Sequence, residues 1–368
     1  MTNQAMTKPP NQMQQLRSIQ MLRGVAALFV VFFHFTIPIH LDKNTIVGSM
    51  LSNGWSGVDM FFVISGFIAA YTVRTEDSGA REAANYFLKR LIRIVPLYYL
   101  VILLSMGSSH ETFIESLKSM VFVPIGGEGA DSYGPLYGGS RVAQGWTLNY
   151  EIFFYVVVAL SFFVGRLKWV FINITMFSLI LIPLLLLPTP DNYGIAGFRF
   201  TIPYISMITN PVILEFLLGL LVFYTHKKMD NKINVTWVIV ITCSIVFFVL
   251  NLQSPFFYSS RLTMWGIPSA LLVVSLLKLE KCDKLPSIKW LMISGNLSFS
   301  IYLLHDGVQK NVRKIAKSLF GDTAFQSIWI QLLAIGVSLA LTYMLAKVTY
   351  KYIEQRQNNN LRKYILVR

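Results

Sequence analysis

Residues 22–35 read LRGVAALFVVFFHF. The stretch is almost wholly apolar and suits a membrane-spanning helix, yet it holds Arg23 and His34. These two are eleven residues apart. That is close to three whole turns at 3.6 residues per turn, so a helix puts both on one face, about 16 Å apart along its axis. A charged residue at the centre of a spanning helix costs about 2.5–3.5 kcal/mol on insertion scales. An ionisable ladder kept at that cost is a candidate site. Arg23 is near enough to one end to snorkel to the headgroups. His34 lies about two thirds of the way across, where snorkelling is harder.

The rest of the chain has the same character. Of its 368 residues 54% are hydrophobic and only 14% charged, whereas about a quarter of a soluble domain is charged. Mean hydropathy is +0.54. The composition excludes an ordinary soluble domain and predicts an all-α, polytopic membrane protein within the lipid bilayer. The formal net charge of +14 does not point to nucleic acid. No basic stripe with interleaved aromatics accompanies it, and membrane proteins collect Lys and Arg in cytoplasmic loops. Cys243 and Cys282 are too few and too far apart for a zinc site, and no disulfide or other metal site is expected. The first apolar run lacks a small-x-small cleavage site and reads as a retained helix.

Ten apolar runs follow, at about 19–39, 58–73, 94–107, 146–165, 169–188, 206–225, 233–251, 262–279, 291–306 and 326–347. The third and ninth are short enough to be tilted or re-entrant. With both termini cytoplasmic, inside segments hold about 22 Lys and Arg against about 9 outside. The dissenting segment is 306–325, nominally outside, with Lys310, Arg313, Lys314 and Lys317. The chain then divides into a cytoplasmic tail (1–18), a transmembrane domain (19–347) and a second cytoplasmic tail (348–368). The longest Gly-rich segment, PIGGEGADSYGPLYGGSRVAQG at 124–145, reads either as a flexible linker or as a wall for a bulky extracytoplasmic substrate.

Several polar residues interrupt the apolar runs. Asp59, in GVDMFFVISGF (57–67), sits at a depth similar to His34 and is placed to orient it, or else serves as an interfacial carboxylate. Arg90 and Arg93, in KRLIRIVP (89–96), are three apart and so neighbours on a helix face. Paired guanidinium groups suit phosphates, although a positive-inside anchor looks the same. In WTLNYEIFFY (146–155), Trp146 fits an interfacial aromatic, and Asn149 and Glu151 lie deeper. Glu151 is an intramembrane carboxylate and hence a functional candidate. Glu215 is buried deeper still and reads as structural, paired with a helix dipole or a basic neighbour such as Arg199. In GNLSFSIYLLH (295–305), Ser298, Tyr302 and His305 share one helix face. They line a cavity or else pack as satisfied core groups. Tyr352 and Glu354 close the last run in YKYIEQR (350–356), and His40 is ordinary surface.

Taken together, these fragments resemble acyltransferase family 3 membrane proteins, in particular the exopolysaccharide acetyltransferase branch. The shared features occur in the family's order: Arg23 and His34 with ten residues between them, GVDMFFVISGF, the Arg-x-x-Arg of Arg90 and Arg93 before Pro96, Trp146-Thr-Leu-x-x-Glu151, Ser298-x-x-x-Tyr302-x-x-His305, and a terminal Tyr/Glu element at Tyr350 or nearby with Glu354. Each is weak alone, but six in order cover nearly the whole chain. Many members have Trp-Ser where this chain has Trp146-Thr147, which points to the exopolysaccharide branch. Others carry a fused esterase-like domain that is missing here, so the membrane part is expected to handle the acceptor itself.

The resemblance implies a multi-pass protein of the bacterial inner membrane, working beside polysaccharide biosynthesis machinery. It would transfer an acyl group, usually acetyl, from the co-substrate acyl-CoA (acetyl-CoA) to a hydroxyl of a glycan acceptor, with no permanently bound cofactor. Arg23, Arg90 and Arg93 would hold the CoA. His34 would be the general base, steadied by Asp59 or Glu151, with Tyr302 as an oxyanion donor. Trp146, Asn149, Ser298 and His305 would contact the acceptor. The rival readings are a transporter or flippase of glycan precursors, using the same buried charges as a path, and a non-catalytic assembly subunit. No inverted repeat supports the transporter. The sequence leaves the oligomeric state open.

Overall fold

The computed structural model describes residues 16–36, 45–106, 109–126, 134–324 and 327–357. Among them every regular element is helical. In chain order these are α1 (Arg17–Thr36), α2 (Ile46–Ser52), α3 (Gly57–Thr72), α4 (Ala80–Leu104), α5 (His110–Met120), α6 (Gly145–Ser161), α7 (Lys168–Leu186), α8 (Tyr193–Ala196), α9 (Pro203–Ile208), α10 (Leu214–Lys228), α11 (Val235–Gln253), α12 (Ile267–Lys281), α13 (Lys289–Asn296), α14 (Ser298–Ala324) and α15 (Ile328–Thr349). Side-chain caps start several of them. Thr45, Ser109 and Asn234 each accept a backbone N–H three residues on, at the beginnings of α2, α5 and α11.

Six segments are long and apolar enough to cross a membrane: Arg17–Thr36, Ile46–Thr72, Gly145–Leu186, Val235–Gln253, Leu262–Lys281 and Ile328–Gln355. The third spans 42 residues, about twice the ~20 that one crossing needs. Gly165 divides it at a φ of +57°, a conformation open mainly to glycine, and α6 and α7 pack on each other. Seven of the ten expected runs fall in these six segments.

The other three differ for visible reasons. Run 94–107 is the distal part of the 25-residue α4, whose middle carries Arg90 and Arg93. Run 206–225 is interrupted by turns ending in Pro211–Ile213, which leave a 15-residue α10. Run 291–306 is broken at Leu297, between α13 and α14. The basic segment 306–325, read as a loop, lies largely on the continuation of α14 to Ala324, where Lys310 pairs with Asp306 at 2.7 Å. The last helix likewise runs past the expected tail boundary as a π-helical turn over Tyr350–Gln357. His40 and most of the acidic part of the Gly-rich segment lie outside the described residues.

α1 and α3 form the centre. α1 packs on α3, α12, α13 and α14, and α3 lies against α10. The α3–α10 contact is backbone to backbone. A Cβ added at Gly66 would stand 2.0 Å from the Phe216 carbonyl oxygen, and one at Gly219 would stand 2.1 Å from that of Val63. Small residues permit this approach between membrane helices. Aromatic rings fill the flanks, with Phe216 stacked on Phe154 at 4.4 Å between centroids. Gly219→Ala is therefore expected to cost about 1–3 kcal/mol through overpacking. The check is a lowered thermal midpoint of the detergent-purified protein; an unchanged midpoint would contradict the contact.

Candidate active site

The ladder on α1 opens onto two chambers. The first, about 730 Å³ including space open to solvent, is lined by Arg23, by Ser65 of α3, by Arg90 and Arg93 of α4, by Glu151 and Tyr155 of α6, and by Ser298 and Tyr302 of α14. Of the four charged side chains among its described lining residues, Arg23, Arg90 and Glu151 are hydrogen-bonded. Arg23 donates from Nη2 to Ser298 Oγ at 2.8 Å and from Nη1 to Gln20 Oε1 at 3.4 Å. Arg90 donates to Thr72 Oγ1 at 3.2 Å, with its guanidinium carbon 5.4 and 5.3 Å from the ring centroids of Tyr86 and Tyr155. Glu151 accepts from Ser65 Oγ at 3.3 Å and from the Tyr155 hydroxyl. Glu354 accepts from Ser300, whose Oγ also accepts from Thr349 Oγ1 at 2.9 Å. Arg23 feels the like charge of Arg93 and the opposing charges of Glu354 and Glu151. Arg90 and Arg93 also line a cavity walled by Asp77, Glu82 and the exposed Lys89. That cavity extends the first chamber towards one end of the bundle.

The second chamber, of about 680 Å³, contains His34, Trp55, Gln144, Trp146, Arg261 and Tyr302. Val58 and Tyr302 line both chambers, so the two share a wall. Leu136 and Ala143 of the Gly-rich segment belong to its lining. The described part of that segment is pinned. Tyr150 donates to the Pro135 carbonyl at 2.9 Å, Tyr137 to that of Ala196 at 2.7 Å, and Tyr98 shares a 2.6 Å bond with Ser140. It serves as a wall.

His34 is half-buried, with Nδ1 2.8 Å from the Val30 carbonyl oxygen. A carbonyl only accepts, so Nδ1 carries the hydrogen and the neutral ring keeps its lone pair on Nε2. Nε2 has no hydrogen-bond partner among the described residues. His305 packs edge-on against His34, 5.0 Å between centroids. The same logic applies to it: Nδ1 lies 2.7 Å from the Tyr302 carbonyl oxygen, and Nε2 lies 3.4 Å from Gln144 Nε2, which donates to it. Tyr302 shares a 2.9 Å bond with Thr147 Oγ1.

The expected residues divide into two groups. His34, Arg23, Arg90, Arg93, Glu151, Tyr302 and Trp146 come together around the two chambers, and Ser298 joins them as the partner of Arg23. Asp59 does not reach His34. It is fully buried and committed to Arg261, bonded from Nε at 3.0 Å and from Nη2 at 2.7 Å. A buried carboxylate needs a partner, and the guanidinium offers two matched donors. Glu215 adjoins this same pair, so its basic neighbour is Arg261 and not Arg199. Asn149 is buried, makes no side-chain hydrogen bond among the described residues and lines neither chamber. His305 is fully buried behind His34 and presents no surface to a substrate.

Sequence reasoning missed Arg261, whose guanidinium carbon lies 4.6 Å from the Trp55 ring centroid and 5.8 Å from that of Trp146. It also missed Gln144, Tyr155 and Trp55. The available signal for Arg261 was an arginine opening an apolar run, SSRLTMWG at 259–266.

The bundle thus holds a cationic chamber and an aromatic chamber that share Val58 and Tyr302, with His34 lining the second. Residues 16–347 match the family described as Acyltransferase domain, and the chain belongs to that family. It is an acyltransferase, which removes the transporter and the assembly-subunit readings. Among curated proteins it is similar to the exopolysaccharide production protein ExoZ of Rhizobium meliloti, with 31% identity over 280 residues covering 72% of this chain and 79% of that protein. It is also similar to the peptidoglycan O-acetyltransferase OatA of Listeria monocytogenes, with 22% identity over 368 residues covering 92% of this chain and 55% of the relative. The chain thus spans about half the length of the second relative. No solved structure matches it.

Proposed function

We propose that this integral membrane enzyme transfers an acyl group, acetyl by preference, from cytoplasmic acyl-CoA to a hydroxyl of an extracytoplasmic or lipid-linked glycan of the exopolysaccharide type. The names of the two relatives, one for exopolysaccharide production and one for O-acetyl transfer, support this reading. The observation that carries it is the shared wall at Val58 and Tyr302, with a cationic chamber on one side and His34 on the other. In this reading the bundle crosses a bacterial inner membrane about ten times. Both termini are cytoplasmic, so the Arg90–Arg93 end faces the cytoplasm.

Acyl-CoA docks its phosphates on Arg90 and Arg93, because planar guanidinium groups match phosphate oxygens. Its pantetheine arm runs beside α1 past Arg23, and the thioester reaches the wall at Tyr302. The glycan hydroxyl occupies the second chamber. His34 Nε2 takes the hydroxyl proton as the oxygen attacks the thioester carbonyl carbon. A tetrahedral oxyanion forms, and the Tyr302 hydroxyl turns from Thr147 to donate to it. When it collapses, the C–S bond breaks and the ester remains on the glycan. The His34 imidazolium returns its proton to the leaving thiolate. His305 holds the His34 ring from behind, and Glu151 balances the charge of the arginines.

The direct test is incubation of membranes containing the protein with acetyl-labelled acetyl-CoA and total cell glycan. Label bound to glycan is expected, and its absence from a well-expressed wild type would overturn the reading. Arg93→Gln is expected to raise the acetyl-CoA concentration at half-maximal rate about tenfold or more, since a hydrogen bond to a charged group contributes about 1.5–3 kcal/mol. The glycan concentration at half-maximal rate should not move. Equal rises in both would contradict the phosphate role.

A further inference from the structure

The two chambers differ in charge. The first has three arginines facing Glu151, with Glu354 nearby, a surplus of positive charge suited to a polyanion. In the second, Arg261 is the one formally charged side chain among the described residues of the lining, and its charge is already spent. Nε and Nη2 are both bonded to Asp59, and the fully buried Glu215 adjoins the same pair. Nη1 has no hydrogen-bond partner among the described residues. The remaining wall combines indole and phenyl rings with the neutral polar groups of Gln144, Tyr302 and His34.

We infer that the second chamber binds an uncharged sugar unit of the acceptor, with Arg261 Nη1 donating to one of its oxygens and Trp55 and Trp146 walling its apolar face. The inference rests on the acyl-transfer reading and adds the chemical class of the residue that is acylated. A pyranose presents C–H faces to apolar walls and hydroxyls at its rim, and one directional donor beside a base orients it. A hexuronate or a phosphorylated sugar would bring an anion into a chamber whose one cation among the described residues is committed. Burying an unpaired carboxylate costs several kcal/mol, and drawing Arg261 away would leave Asp59 unpaired instead.

The test uses membranes containing the full-length protein, carbon-13 acetyl-CoA and a glycan built from both neutral hexoses and hexuronates. Tandem mass spectrometry locates the labelled ester on a residue. Label on neutral hexose is the expected result, and label on hexuronate would overturn the inference while leaving acyl transfer standing. No label from the wild type would overturn the acyl-transfer reading, and this inference with it. A second measurement uses the variant D59N/R261Q, which removes both charges of the buried pair together. The glycan concentration at half-maximal rate should rise about tenfold, the value of one good hydrogen bond, with that for acetyl-CoA unchanged. An unchanged glycan value would overturn the role of Arg261.

Discussion

His34→Ala is expected to cut acetyl transfer to glycan by about 10²–10⁴-fold, the usual contribution of a positioned general base, and to leave the protein folded. The imidazole is only half-buried and has a single polar tie, Nδ1 to the Val30 carbonyl within its own helix. Its removal opens the second chamber without stranding a buried charge. Binding of acetyl-CoA, anchored on Arg90 and Arg93, should be nearly unchanged. His34→Gln should be as inactive as the alanine variant, because an amide keeps the size and the hydrogen bonds but takes no proton. Three readings on each variant check this: initial rate, half-saturating acetyl-CoA and thermal midpoint. Full transfer by either variant at normal expression would remove His34 from the mechanism.

Asp59→Ala is expected to destabilise the protein by about 3–5 kcal/mol, the range for breaking one half of a buried ion pair. The bond to Arg261 is bidentate and Asp59 is fully buried, so the alanine variant leaves a guanidinium in the bundle facing only Glu215. The loss should be read in thermal midpoint and folded yield in detergent. D59N/R261Q should recover most of it, because it removes both charges of the bidentate pair together. If Asp59 instead oriented His34, Asp59→Ala would reduce rate at wild-type stability. That result would restore the His–Asp pairing that chain order suggests.

The difference between those outcomes shows which parts of the site a sequence can carry. Arg23 and His34 are found on one face because helical periodicity is local, and the same holds for Ser298, Tyr302 and His305 on α14. Arg90 and Arg93 are likewise three apart on α4. Asp59 was misjudged because its partner, Arg261, is 202 residues away. Nearness in the chain favoured His34 on the adjoining helix, while burial of a carboxylate favours whichever guanidinium the packing brings. The aromatic partners of Arg261, and Tyr155 beside Arg90, are invisible for the same reason. The apolar run 206–225 looked continuous, yet it holds Pro211, and the structure starts α10 only at Leu214. The basic segment 306–325 appeared to break the orientation rule because its helical continuation from α14 cannot be read from charge alone.

In the proposed function one site takes its two substrates from opposite faces of the membrane. The purified protein can be reconstituted into sealed liposomes with labelled acetyl-CoA trapped inside and glycan supplied only outside. Random insertion leaves some molecules with the Arg90–Arg93 end facing inward. Labelled glycan is expected outside intact vesicles and is lost with His34→Ala. Labelling only when acetyl-CoA and glycan share a compartment would contradict it.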